Sequence, residues 1–150
     1  MDKYDKIDEL LEETCYIVDF LPQRVPKNSE GQYFKIEEYF RKNGEMAKLY
    51  QKFADILLKI NCYYDFDVSY RGSWTKNPLP EELADWIKEC TFGKKDYMNI
   101  LIEDESTMIV VNGDDLYLSC YNLNEKMKSL LGKLAAAEGL FLWNTKEDEL

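Results

Sequence analysis

The sequence predicts an α+β fold: a single domain with a mainly antiparallel sheet of about five strands and helices packed on one face. Two observations lead there. Strand patterns fall mostly in a run between residues 97 and 121 instead of alternating with helices, an order that favours layered α+β over a parallel βαβ sheet. The 150 residues are 45% hydrophobic and 14% aromatic, enough apolar material to fill one core despite the charge.

Residues 3–20 read as a helix, because Tyr4, Ile7, Leu10, Leu11, Thr14, Cys15 and Val18 recur at three- and four-residue steps. Pro22 limits it, since the residue before a proline avoids the helical region. Residues 22–31 (PQRVPKNSEG) form a loop by their Pro, Gly, Asn and Ser content. Residues 33–42 fit a strand through Phe34, Ile36 and Phe40 or a helix through Ile36, Tyr39 and Phe40; the helix, ended by Asn43-Gly44, is preferred. Residues 45–60 are a helix, with Met46, Leu49, Tyr50, Phe53, Ile56, Leu57 and Ile60 on one face and Lys48, Lys52, Asp55 and Lys59 on the other.

Residues 63–70 alternate, with Tyr64, Phe66, Val68 and Tyr70 pointing inward and Tyr63, Asp65, Asp67 and Ser69 outward, as a half-buried strand requires. A loop follows over 71–78. Pro80 stands at the start of the next helix, whose buried stripe is Leu83, Trp86, Ile87 and Cys90 and whose stop is Gly93. Strands follow at 97–102, 107–111 and 116–121. Asn112-Gly113 gives a tight-hairpin signal that places Thr107, Ile109 and Val111 on one face with Leu116, Leu118 and Cys120. Asn122 and Glu125 fit a capping box for the last helix, which buries Met127, Leu130, Leu131 and Leu134 and ends at Gly139. Residues 140–143 read as a short buried strand.

The net charge is −10 and the pI about 4.6. That balance argues against nucleic acid and against an anionic membrane, both of which select basic patches. A basic protein partner or a cation suits it better. There is no histidine, which removes imidazole-based hydrolysis and the usual catalytic zinc sites. Cys15, Cys62, Cys90 and Cys120 form no CxxC, and three of them fall on apolar faces, where a free thiol packs as a small hydrophobe. The charged N-terminus MDKYDKIDEL is no signal peptide, and no apolar run approaches the ~20 residues of a membrane span. A reduced, cytoplasmic protein is expected. No phosphate-binding glycine loop occurs, and no motif implies a cofactor or a catalytic residue.

The strongest candidate for a partner surface is the stretch 96–123, which holds six carboxylates and no Lys or Arg. Its meander brings Asp96, Asp114 and Asp115 to one end and Glu103, Asp104 and Glu105 to the other. Repulsion among the first three would be relieved by a partner's Lys or Arg or by a cation; the alternative is polar turns that solubilise a hairpin. Arg71 and Trp74 join them as candidate partner-binding residues, since Arg and Trp are enriched in interface hot spots, although a loop tryptophan can equally fold back over the core. Arg24 marks a second possible interaction loop. Asp65 and Asp67 form an Asp-x-Asp that could help to hold a hard cation, or could simply face water.

The expected function is that of a non-catalytic interaction or regulatory module, inhibitor- or immunity-like, presenting an acidic surface to a basic protein. One alternative is a carboxylate-dependent cation-binding protein or hydrolase. Another is a small-ligand-binding protein with an aromatic pocket lined by Phe53, Tyr64, Tyr70 and Trp86.

Overall fold

A computed structural model describes residues 2–91 and 96–146. In chain order the elements are α1 (Lys3–Leu11), β1 (Cys15–Asp19), α2 (Glu30–Lys42), α3 (Glu45–Asn61), β2 (Asp67–Tyr70), β3 (Ser73–Lys76), α4 (Pro80–Thr91), β4 (Tyr97–Ile102), β5 (Thr107–Asn112), β6 (Tyr117–Tyr121), α5 (Glu125–Ala137) and β7 (Phe141–Asn144). The strands form one antiparallel sheet in the order β3-β2-β4-β5-β6-β1-β7. The fold is therefore α+β, with seven strands where about five were expected. The predicted stop at Gly93 lies outside the described residues.

The alternation along each strand sorts side chains onto two faces. Val18, Val68, Met98, Ile100, Ile109, Val111, Leu118 and Cys120 face the main core. There they meet α3 through Phe53, Ile56, Leu57 and Ile60, α4 through Leu83 and Ile87, and α5 through Met127, Leu131 and Ala135. Phe53 and Ile56 are fully buried, and truncating a side chain of that kind costs about 3 kcal/mol or more through lost transfer energy and the cavity left behind. The opposite face of β4 and β5 is covered separately. Ile7 and Leu10 of α1 pack there on Leu101 and Met108, with Trp74, Val110 and Tyr121 at the margin.

The first helix ends at Leu11, well short of residue 20. Cys15–Asp19 pairs with β6 on one side and β7 on the other, so a central place in the sheet overrides a helical stripe that continued only through Thr14, Cys15 and Val18. The loop expected over 71–78 contains β3, joined to β2 by Arg71 and Gly72 at φ 52° and 79°. Two successive positive φ values are what a two-residue hairpin turn needs, and Gly72 supplies one of them without strain. Residues 63–66 precede the strand that was expected to include them, so Asp65 lies outside the sheet.

The β5–β6 connection is longer than the Asn112-Gly113 dipeptide suggests. Residues 113–116 separate the two strands, and Val111 pairs with Leu118, which keeps the expected faces together. The turn is bound from inside: the Tyr50 hydroxyl shares its one proton between the carbonyls of Asn112 (2.6 Å) and Asp115 (2.8 Å), and the Gly113 N–H donates to the Asp96 carbonyl (3.0 Å). A Cβ on Gly113 would lie 1.8 Å from the Cys90 carbonyl oxygen, so glycine is required for close approach. The cap of α5 is Asn124, whose side chain accepts from the Met127 N–H at 2.8 Å. Asn122 instead adopts φ 61° and donates its amide to the Ser106 carbonyl at 2.9 Å. β7 is an edge strand, half-buried instead of enclosed.

Candidate functional site

Asp96, Asp114 and Asp115 do gather at one end of the meander, as the Gly113–Asp96 hydrogen bond requires. Bases from outside the acidic stretch reach them. The Arg71 guanidinium pairs with Asp96 at 3.1 Å and with Glu89 at 3.6 Å, and Arg41 donates to the Asp114 carbonyl at 2.8 Å. Burial, with Asp114 and Glu37 nearby, pushes the Asp115 carboxyl up. At the opposite end Glu105 receives Lys126 (3.3 Å) and the Asn124 amide. The six acids are thus divided between two ends, and half-exposed pairs such as Arg71–Asp96 are worth at most about 1 kcal/mol each.

Trp74 lies in β3, where its ring meets Tyr4 edge-on at 5.7 Å and Lys3 sits 5.0 Å above it. It folds back under α1. Asp67 pairs with Lys3 at 3.6 Å, and Asp65 accepts from the Asn77 amide at 3.0 Å. Among the described residues no three Cys, Asp or Glu side chains are grouped to hold a metal ion. The rings of Phe53, Tyr64, Tyr70 and Trp86 belong to the main core, where Tyr70 packs on Trp86 at 5.6 Å and donates to Glu89 at 3.0 Å.

The open space lies on the other side of the sheet. α1 covers that face over β4 and β5 and leaves β6, β1 and β7 to a different cover. There Cys15, Ile17 and Asp19 of β1 stand beside Tyr117, Ser119 and Tyr121 of β6 and Trp143 of β7. The chain leaving β1 turns over these strands, and its residues 21–25, with Tyr33 and Phe34 of α2, form the roof. The cleft between floor and roof has a volume of about 430 Å³, within the ~300–1,000 Å³ typical of small-molecule sites.

Among the described residues Asp19 is the one acid lining this cleft, and it is only 6% exposed. In register it sits between Tyr117 on β6 and Phe141 on β7. Burial raises its carboxyl to about 6. The backbone N–H groups of Leu21 and Phe20 and the neighbouring Trp143 indole work against that rise without cancelling it. The Trp143 indole N–H itself donates to the Leu21 carbonyl at 3.1 Å and so ties the roof to the floor. Arg24 lies 5.7 Å over the Trp143 ring and donates to the Thr145 carbonyl.

Burial is also the main force on the phenols. Tyr33, Tyr117 and Tyr121 are each pushed up to about 12, Tyr33 with a further contribution from Asp19 and Glu37. The Cys15 thiol is pushed up as well, chiefly by burial. None of these groups is activated as a nucleophile, since a reactive thiol needs a lowered pKa. Aromatic walls, neutral hydroxyls and a single carboxylate suit binding and orientation.

Reading β1 as the tail of a helix hid Asp19. The signal was present in the alternation of Cys15, Ile17 and Asp19 against Tyr16 and Val18, and of Tyr117, Ser119 and Tyr121 against Leu118 and Cys120. Arg24 was singled out in its loop, without its place over Trp143. No helix among the described residues is long and apolar enough to cross a membrane. No protein-family model, no curated protein and no solved structure matches this chain.

Proposed function

We propose that this chain is a non-catalytic binding protein that takes a small ligand into the cleft over β6, β1 and β7. The observation that carries this reading is a buried carboxylate on the floor of a 430 Å³ space. Removing a charge from water is costly unless something answers it. A sheet face left uncovered by α1, lined by aromatic residues and fitted with one carboxylate among the described residues, has the composition of a binding site. The test is a fragment screen read by backbone amide shifts in a heteronuclear spectrum. Fragments that shift residues 15–25, 117–121 and 141–145 together are expected; a screen with no binders, or shifts scattered over the surface, would rule the reading out.

The exposed part of the acidic turn supports a second reading, as an interaction module for a basic protein. Asp114 is exposed and Arg41 engages its carbonyl. Beside it, α2 has no fully buried side chain among those described and leaves Phe34 58% and Tyr39 56% exposed. Capture of a basic protein at low salt, lost when Asp114 and Asp115 are both replaced by Lys, is the expected result. Capture that survives the charge reversal ends this reading.

A further inference from the structure

We infer that the ligand of this cleft is a small organic cation, an ammonium or guanidinium on a flat apolar body, with Asp19 as its counter-ion and the rings of Trp143 and Tyr117 against its body. This inference rests on the proposed binding function and adds the ligand's charge and shape. Three features of the site support it. First, Asp19 is the one acid among the described lining residues, lies at the Tyr117 end of the floor on its central strand, and has no Lys or Arg paired with it among the described residues. A neutral ligand would shut that carboxylate further from water with no opposite charge, and an anion would meet it directly.

Second, aromatic side chains line the cleft, and aromatic rings attract cations through their quadrupoles. The Trp143 ring carries the Arg24 guanidinium at 5.7 Å, so a ligand body against Trp143 displaces Arg24 from the ring while the ligand's cationic group lies at the Asp19 end. Third, the field at the Asp19 end has the right sign, whereas Arg24 stands at the Trp143 side. Glu37 of α2 and Asp115 of the β5–β6 turn act on the Tyr33 phenol together with Asp19, so the end of the cleft near Tyr33 and Tyr117 is surrounded by acids from three elements.

Proton linkage gives a second signature. With a carboxyl raised to about 6, Asp19 is partly protonated near pH 6, and a cation that needs the ionised form must displace that proton. Binding therefore weakens as the pH falls below about 6. The other titratable groups facing the site are Cys15 of β1, Tyr33 and Glu37 of α2, Tyr117 and Tyr121 of β6, Asp115 of the turn and Arg24 of the roof. The thiol and the phenols are raised by burial and stay neutral over this range, while Asp115, also raised, adds to the loss at low pH.

The experiment is calorimetric titration of the full chain with tryptamine and tyramine as cations, 3-methylindole and p-cresol as neutral counterparts, and indole-3-propionate as an anion. At least one cation is expected to bind tenfold or more tighter than its neutral counterpart, with the anion weakest. Asp19→Asn is expected to remove that preference while leaving the affinity for the neutral compounds within about twofold. The affinity of wild type for the cation is expected to fall tenfold between pH 7.5 and 5, with a smaller fall in the variant. If neutral and cationic compounds bind equally and Asp19→Asn changes neither, the cation inference is overturned and the binding function stands. If no compound binds at all, both are overturned. Wild-type and variant melting curves, recorded alongside, separate loss of binding from loss of folding.

Discussion

At pH 7.5 Asp19 is ionised although its surroundings favour the neutral acid. Its folded value of about 6 exceeds the ordinary 3.8, so the folded chain holds this proton more tightly than the unfolded chain does. Below about pH 4 the group is protonated in both states and costs nothing. As the pH climbs from 4 to 6 the unfolded chain loses the proton first, and stability declines by up to about 3 kcal/mol from this group alone, at ~1.4 kcal/mol per unit. Above 6 the loss persists. Asp19→Asn keeps the shape and removes the charge, so it should raise the melting temperature by several degrees at pH 7.5 and leave it almost unchanged at pH 4. Equal melting temperatures at the higher pH would mean that the carboxylate is better solvated than its burial implies. Under the proposed binding function Asp19 would weaken the free protein and strengthen its complex, a trade that binding sites make.

The β5–β6 turn shows what an element needs beyond its local sequence. Its conformation is fixed by Tyr50 from α3 and by the close approach of Gly113 to the Cys90 carbonyl at the end of α4. Gly113→Ala should therefore destabilise the protein by about 3 kcal/mol or more in urea unfolding, because the new methyl collides with backbone. A loss below 1 kcal/mol would mean that the turn can move aside. The same contrast explains what was legible in the sequence. The helix at 45–61 was legible because its 3.6-residue pattern is local and long. β1 was not, because a five-residue strand next to a true helix fits both periods, and its pairing partners lie about a hundred residues away. β3, with the sequence SWTK, has no apolar alternation to announce it; its partner strand and the Arg71–Gly72 turn define it. The acidic turns were visible as residues, whereas Arg71 and Lys126 reach them only through the fold.

At the scale of the whole molecule the two faces of the sheet have different tasks. One is closed by α3, α4 and α5 over an apolar interior with no buried side-chain polar atom left unsatisfied among the described residues. The other is covered in two parts, by α1 over the middle strands and by the roof of residues 21–25 and α2 over β6, β1 and β7. The larger apolar cluster lies on the first face, and the second carries the smaller cluster and the cleft. This division could not be read from composition, since an aromatic residue in the core and one lining a cleft count the same.

The position of β1 also shapes how the chain is made. Both of its neighbours, β6 and β7, follow it by about a hundred residues or more, so the first strand leaves the ribosome with neither partner yet synthesised. Until residue 117 has emerged, Cys15–Asp19 offers two unsatisfied backbone edges, and the floor of the cleft does not exist. Pairing across so long a stretch of chain carries a large entropic cost of loop closure, which makes it a late and slow event. The floor of the cleft is therefore assembled only after β7 has joined β1, about 125 residues after β1 itself was made.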